Sequence, residues 1–386
     1  MNGRTDEQTV RVRPRNPETD GLVPDPVASS LLQPWEVWGQ ERFDLEMTRV
    51  FARSWLLLGD LEDLQAPGDF ITATIGYQPV VVIRQADGLI KGFLNNCRHR
   101  ASGLAFEPAG NCGKTLTCPY HNWTYSIDGS LVGIPDRQRM YPDGIPTESY
   151  GLVPIRVAVG WGKIVFGCLS YKAPSFEEWV APIMDRWSRY NIQDMSRFDR
   201  QLDPVYDINW KVFAENVNDD LHVRFVHNRL NSIRDQLDTQ IFQDKWTSRG
   251  YKPHNDQDDP SRGRTDLDDM DLKGHYAEFI YPNLVALTFP TQLWLVRCDP
   301  LGPAKMRLVS RIYGLDTSQT VQDEAFEHLE TTNYEDTEML RVLMGNLRTP
   351  FYRVGPASTW EVRAIHLWET VRKQLDTPLA TDEFSH

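Results

Sequence analysis

The 386-residue chain has no apolar run approaching the roughly 20 residues that a membrane-spanning helix requires. Its longest candidates, Pro79 to Ile83 and Ile280 to Val296, are too short or are broken by Asn, Pro, Thr and Gln. Residues Met1 to Gln8 are polar, with no apolar stretch ahead of a small-residue cleavage site. No secretory signal and no membrane association are therefore expected, and a cytoplasmic location is. Basic blocks are also lacking. Lys and Arg number 41 against 54 Asp and Glu, a formal charge of 41 − 54 = −13, which argues against nucleic acid as a partner. The five cysteines, Cys97, Cys112, Cys118, Cys168 and Cys298, are too few and too odd in number for a disulfide framework. Clustered cysteines in a reducing compartment point to metal instead, and isolated ones such as Cys112, Cys168 and Cys298 behave as small hydrophobes.

What is present suffices for two domains: 40% hydrophobic residues and 11% aromatics on a chain of this length. Residues 1 to 34 hold five prolines without apolar periodicity, which predicts an extended surface arm. Phe43, Met47, Val50 and Phe51 then recur at helical spacing up to Trp55. Three hairpins follow. Pro79 to Arg84 and Leu89 to Leu94 flank Ala-Asp-Gly, Tyr125 to Ile127 and Leu131 to Ile134 flank Asp-Gly, and Arg156 to Ala158 and Lys163 to Phe166 flank Gly-Trp-Gly. The stretch 40–165 thus reads as a small antiparallel β domain. After Ser175 helical periods return. Thr247 to Lys273, crowded with Asp, Asn, Arg, Gly and Pro, reads as a long loop, either a mobile lid or an exposed insertion. Strands are expected at 284–289, 293–298 and 306–313, and helices at about 318–347 and 358–375, the last opening with Ser358 and Glu361 at capping-box spacing. Helices on an antiparallel sheet make the second domain, and the class is α+β.

Cys97 and His99 lie two positions apart at the end of one expected strand, and Cys118 and His121 lie three apart just before another. Two loops of this kind can enclose a zinc ion or a two-iron cluster in which sulfurs hold one iron and imidazoles the other. The flanking residues, Asn96-Cys97-Arg98-His99-Arg100 and Cys118-Pro119-Tyr120-His121-Asn122-Trp123-Thr124-Tyr125, resemble the Rieske [2Fe-2S] signature of the non-haem iron ring-hydroxylating oxygenases. The resemblance implies a Rieske cluster held by Cys97, His99, Cys118 and His121, without the extra loop cysteines of respiratory Rieske proteins.

A second segment, Asn209-Trp210-Lys211 through Asp219-Asp220-Leu221-His222 to His227, resembles the mononuclear iron motif of the same family. On a regular helix residues five apart point about 140° away from each other, so His222 and His227 cannot share one ion unless the helix breaks, a break expected near Val223 to Val226. The resemblance makes both histidines iron ligands and requires a third, acidic ligand far along the chain. In the helix from Ser318, Phe326, Leu329, Asn333, Asp336, Leu340 and Leu343 form one stripe. A carboxylate in an apolar stripe is costly unless it is paired or coordinated, which selects Asp336; Glu335 and Glu338 are expected to point elsewhere. The resemblance also makes Asp219 the catalytic bridging acid between His222 and a cluster histidine, His121, of a neighbouring subunit, with Asp220 its competitor and Asn216 near the iron.

The family's organisation then implies an N-terminal arm with the first part of the catalytic domain at 1–39, the Rieske domain at 40–165 and a helix-grip catalytic domain with mononuclear Fe(II) at 166–386. It implies a terminal oxygenase α subunit that uses dioxygen and NAD(P)H-derived electrons, delivered by a reductase and in some systems a ferredoxin, to hydroxylate an aromatic substrate such as an aromatic acid. The alternatives are a monooxygenase or demethylase of quaternary ammonium compounds, and a Rieske electron carrier without oxygenase activity. A homotrimer is expected, with or without a β subunit, and Tyr281, Phe289 and Trp294 are candidate substrate-lining aromatics.

Overall fold

The computed structural model describes residues 9–10, 31–227, 240–243, 245–253, 264–349, 351–358 and 360–384. Most of the expected N-terminal arm lies outside these residues, as does the centre of the expected 247–273 loop. The chain divides into two compact units, one formed by Met1–Leu45 and Glu177–Thr377, the other by Glu46–Phe176 and Pro378–His386. The sequence places the boundary near 165 and gives the whole C-terminal part to the catalytic domain. The end of the chain instead joins the smaller unit, because Arg53 pairs with Glu383 at 3.3 Å and the Tyr171 amide donates to the Glu383 carbonyl at 2.9 Å.

In the smaller unit seven strands run in the order Leu56–Asp60, Ile164–Cys168, Pro154–Gly160, Ile90–Leu94, Gln78–Arg84, Asp69–Ile75 and Ala109–Asn111. A second sheet stacks Thr115–Thr117, Thr124–Ser126 and Leu131–Gly133. The three expected hairpins are all present. Gly88 and Gly129 take positive φ at two of the turns, which a Cβ would strain. Leu116, Trp123, Tyr125 and Leu131 pack with Cys97 and Cys118 in one buried cluster, so the hairpin cores hold the two cysteine loops.

In the larger unit, among the described residues, antiparallel strands follow one another as Thr9–Val10, Gln240–Gln243, Thr247–Pro253, Gly274–Ile280, Leu284–Phe289, Gln292–Gly302, Lys305–Gly314 and Ser196–Arg197, with Val205–Tyr206 also paired to Lys305–Gly314. The strand Thr247–Pro253 corrects the expected loop. Its polar sequence is tolerated in the sheet because both backbone edges are paired and its side chains find partners: Ser248 Oγ donates to Asn218 Oδ1 at 2.8 Å, Arg249 Nη1 to the Pro182 carbonyl at 3.1 Å, and Lys252 Nζ meets Asp220 Oδ1 at 3.0 Å. Register sets Ala277 opposite Leu287, Leu287 opposite Trp294 and Val285 opposite Val296. Alternation then brings these side chains with His275 and Phe289 to one face, along one cavity.

The helix Gln319–Asn346 buries Phe326, Leu329, Asn333, Asp336 and Leu340 as its stripe requires, but continues on Met344; Leu343 is 46% exposed. A drift over about five turns is what 3.6 residues per turn produces in a straight helix. The last helix, Val362–Asp376, starts later than its capping-box spacing suggests. Glu361 does accept from the Ser358 amide at 2.6 Å, which closes a turn before the helix rather than its first turn. Among the described residues no helix is long and apolar enough to cross a membrane.

Candidate functional site

Local chemistry breaks the helix where the two histidines need it. Asn209 caps the helix Trp210–Asn216, its Oδ1 accepting from the Lys211 amide at 2.8 Å, and Trp210 is anchored in the core beside Trp368. After Asn216 the side chains take over: Asn218 Nδ2 donates to the Ala214 carbonyl at 2.8 Å, and Asp219 Oδ1 accepts from the Leu221 amide at 2.7 Å. Val223–Val226 then forms a single helical turn with His222 at its start and His227 at its end. The expected break within 223–226 is thus placed differently, on either side of that turn. His227 leaves the helical conformation at φ −97°, ψ 81°, and the two rings come to 5.4 Å between centroids.

Asp336, 7% exposed on the long helix, completes a cluster with them. His222 Nε2 and His227 Nε2 lie 3.4 and 3.2 Å from Asp336 Oδ1, and a ligand atom from each residue falls within 4.8 Å of the others. Asp336 Oδ1 is buried and makes no hydrogen bond of proper geometry, so the three donors converge on a point rather than satisfying one another. Burial opposes charge on His222, yet the carboxylates of Asp219 and Asp336 hold its pKa up at about 9. Burial likewise opposes charge on Asp336, and the two imidazoles hold its carboxyl well below the usual range. Two imidazoles and one carboxylate around an orphaned oxygen fit Fe(II) with open positions.

A carboxylate faces each opposite ring edge; at His227 it makes a hydrogen bond, whereas His222 Nδ1 has none among the described residues. Asp219 Oδ2 lies 3.5 Å from His222 Nδ1, and Glu335 Oε2 lies 2.9 Å from His227 Nδ1. Glu335 corrects the expectation that it points elsewhere. It sits about 100° around the helix from Asp336, but its extra methylene and the inward swing of His227 let it reach the ring. Spacing alone could not reveal this, since the contact depends on where His227 leaves its helix. Glu335→Gln is expected to weaken Fe(II) retention about 10- to 100-fold, measured as metal content after dialysis against graded chelator; unchanged retention would show that the contact does not orient His227. Asp220, the expected competitor of Asp219, is buried between Lys252 Nζ at 3.0 Å and Arg363 Nη1 at 3.1 and 3.2 Å. Burial penalises its charge, but these two cations hold its carboxyl far below the usual range.

The four residues of the first cluster gather in pairs. The Cys97 and Cys118 thiols are close enough to perturb each other's titration, and the rings of His99 and His121 are 4.5 Å apart. Among the described residues His222, His227 and Asp336 are the group that brings three potential ligands to one point. Sulfur beside sulfur and imidazole beside imidazole is the arrangement a two-iron cluster asks for. His99 Nδ1 is buried without a hydrogen-bond partner, Tyr125 Oη lies 3.3 Å from Cys97 Sγ, and burial pushes the Cys97 thiol up. At Cys118 burial is outweighed by the His121 and Tyr120 amides, and the thiol falls below its ordinary value.

The cavity beside His222, His227 and Asp336 has a volume of about 150 Å³. Its apolar wall is the sheet face bearing Ala277, Val285, Leu287, Phe289, Trp294 and Val296. Phe289 and Trp294 are 5.0 Å apart at 48°. Tyr281, an expected lining residue, packs away from the cavity against Trp179 and Trp246, its hydroxyl donating to Gln374 at 2.9 Å.

Comparison with known proteins gives matches to both parts of the chain. The ring hydroxylating alpha subunit (catalytic domain) family matches residues 184–377, and the Rieske [2Fe-2S] domain family matches residues 54–151. The large oxygenase component of the naphthalene 1,2-dioxygenase system of Pseudomonas aeruginosa is 31% identical over 208 residues, 52% of this chain and 45% of that protein. The chloroplastic choline monooxygenase of Spinacia oleracea is 29% identical over 329 residues, 80% of this chain and 70% of that protein. The matched part thus spans under half of the first relative's length. A crystal structure of the quaternary ammonium Rieske monooxygenase CntA superposes with a TM-score of 0.78 at 19% identity, covering 90% of this chain and 95% of that one, a likeness of fold.

Proposed function

The chain belongs to the ring-hydroxylating oxygenase α subunits and carries a Rieske [2Fe-2S] domain, and from that premise we propose that it is the terminal oxygenase of a Rieske non-haem iron system, hydroxylating a single-ring aromatic compound. We assign Cys97, His99, Cys118 and His121 as cluster ligands and His222, His227 and Asp336 as ligands of Fe(II). When bound, these groups supply single-electron transfer and dioxygen activation. The chain's own part is positional. Glu335 orients the His227 imidazole through its hydrogen bond to Nδ1, and the Asp219 carboxylate faces His222 Nδ1, leaving Nε2 of each ring for metal. The apolar sheet face excludes water from the space where substrate lies. Electrons come from NAD(P)H through a partner reductase or ferredoxin, and the working form is a closed homo-oligomer, a trimer. In support of that assembly, Asp219 keeps 26% of its side chain exposed, open to a residue of another chain.

The observation that carries the substrate reading is the cavity of about 150 Å³ beside the triad, walled by Phe289, Trp294 and aliphatic side chains. A cavity of that size has room for a benzene ring against its apolar wall. A second reading, oxidation of a quaternary ammonium compound, draws on the longer alignment with choline monooxygenase. Against it, the carboxylates lining the cavity are engaged: Asp219 with Leu221 and His222, Asp220 with Lys252 and Arg363, Asp336 with the two imidazoles. A quaternary cation would find no carboxylate free of other partners there and would rest on the faces of Phe289 and Trp294 alone. Protein purified with about three irons per chain and reconstituted with a reductase should show oxygen uptake with monocyclic aromatics and form hydroxylated product. Uptake with choline or carnitine alone would overturn the aromatic reading, and stoichiometric zinc without acid-labile sulfide would overturn the oxygenase itself.

A further inference from the structure

The chain leaves its larger unit at Thr377, and the residues from Pro378 onward belong to the smaller one. Three consecutive side chains of this end meet three kinds of partner there. Asp382 pairs on the surface with Lys172 Nζ at 2.5 Å, both side chains being about half exposed. Glu383 is 2% exposed. Its carboxylate accepts from Ser170 Oγ and from the Ala380 amide at 3.2 Å and pairs with Arg53 Nε at 3.3 Å, while its backbone carbonyl accepts from the Tyr171 amide at 2.9 Å. Phe384 lines an apolar cavity of about 200 Å³ together with Met47, Ile75, Leu94, Pro154 and Leu169, all of them in the smaller unit.

The receiving side is organised by contacts of its own. Arg156 donates to the carbonyls of Ser170, Ala173 and Pro174 at 3.0, 2.8 and 2.9 Å and lies over the Trp55 ring at 4.8 Å, which fixes the loop 170–174. Within that loop the Lys172 and Ala173 amides both donate to Ser170 Oγ at 3.0 Å, so the hydroxyl's own proton is left for Glu383. Ser170 is fully buried, and its amide donates to the Ala52 carbonyl at 3.1 Å. Arg53 shortly precedes the edge strand Leu56–Asp60, and Ser170 follows the neighbouring strand Ile164–Cys168, in which Gly167 stands opposite Leu56. Glu383 thus bridges the end of the outermost strand pair of the seven-stranded sheet. A buried hydroxyl donor beside a guanidinium asks for an anionic acceptor, and the cavity next to them asks for an apolar side chain.

We infer that Arg53, Ser170, the Tyr171 amide and the adjoining apolar cavity form a peptide-binding site for an acidic residue followed by an aromatic one. Its occupant is the chain's own Glu383-Phe384, and the terminal segment acts as a clasp that closes the sheet edge of the Rieske unit. The exposed pair of Asp382 and Lys172 adds little to it. The inference is independent of which substrate the protein oxidises.

Metal-loaded protein shortened by residues 378–386, titrated calorimetrically with a synthetic peptide of those residues, tests the site directly. The peptide should bind saturably. Glu383→Ala in the peptide should weaken binding at least about tenfold, because a buried charge-assisted contact is lost, whereas Asp382→Ala should weaken it less than about threefold. Phe384→Ala, which empties part of the apolar cavity, should cost about threefold to tenfold. In the shortened chain amide hydrogen exchange at residues 56–58 and 165–167 should quicken at least about tenfold and return to the full-length rates when peptide is added, while the hairpin 124–133 changes less than about threefold. A folded shortened chain that binds no peptide, or binds the Glu383→Ala peptide equally well, overturns the site, and unchanged exchange overturns the clasp. If the shortened chain does not fold, full-length Glu383→Ala and Phe384→Ala decide by the same measurement: faster exchange confined to the edge pair supports the clasp, and unchanged rates overturn it.

Discussion

Asp336→Ala should abolish product formation while leaving the visible spectrum of the Rieske cluster unchanged. The carboxylate is one of three protein donors around a single point, and its Oδ1 is held 3.4 and 3.2 Å from the two imidazole nitrogens with no hydrogen bond to occupy it. Two histidines alone do not make a facial site, so the mononuclear iron should be lost on purification. The loss should exceed the roughly 10- to 100-fold that removal of an outer partner produces. Metal analysis showing about two irons per chain instead of about three would accompany the loss of turnover. A fully active variant would move the third ligand to Glu335, whose carboxylate already touches His227.

Asp219→Asn should retain both metals and slow turnover at least about a hundredfold, more than its orienting contact with His222 alone accounts for. The substitution keeps size and the turn at Leu221, where Oδ1 accepts from the amide, but replaces a charged acceptor by a neutral group that can also donate. On the proposed assembly, a side chain that serves His222 within the chain and a cluster histidine of a neighbouring subunit loses both its charge and its fixed polarity. Hybrids test the geometry: chains lacking the cluster through Cys97→Ala are reassembled with chains lacking the iron through His227→Ala. Recovered activity supports transfer between subunits. Correctly assembled, iron-loaded hybrids without activity would place the electron path within one chain.

The cluster loops were legible because their chemistry is local. Two Cys/His pairs, each within four residues and each flanked by hairpin signals, need only the two β-hairpin cores to bring them together. Asp336 was legible for a different reason: a helix of 28 residues preserves its phase well enough that one acidic residue in an apolar stripe stands out. The same phase argument failed at Leu343, where drift had accumulated, and at Glu335, where side-chain length and the partner's position outweighed angle.

By itself, then, the sequence determined the hairpins and the α+β class through spacing within single elements, and offered the pairs Cys97/His99 and Cys118/His121 and the triad candidates His222, His227 and Asp336 through their resemblance to a known family. Only the tertiary structure decided what depends on register and on contacts across long separations. Thr247–Pro253 is polar in composition, and becomes a sheet strand only because Gln240–Gln243 and Gly274–Ile280 pair with both of its edges. That pairing sets Lys252 opposite His275 and beside Asp220. Asp220 could be separated from Asp219 only once Lys252 and Arg363, 32 and 143 residues away in sequence, were seen to enclose it. A charge's role is set by what surrounds it after burial, and neighbours in the chain do not reveal that surrounding.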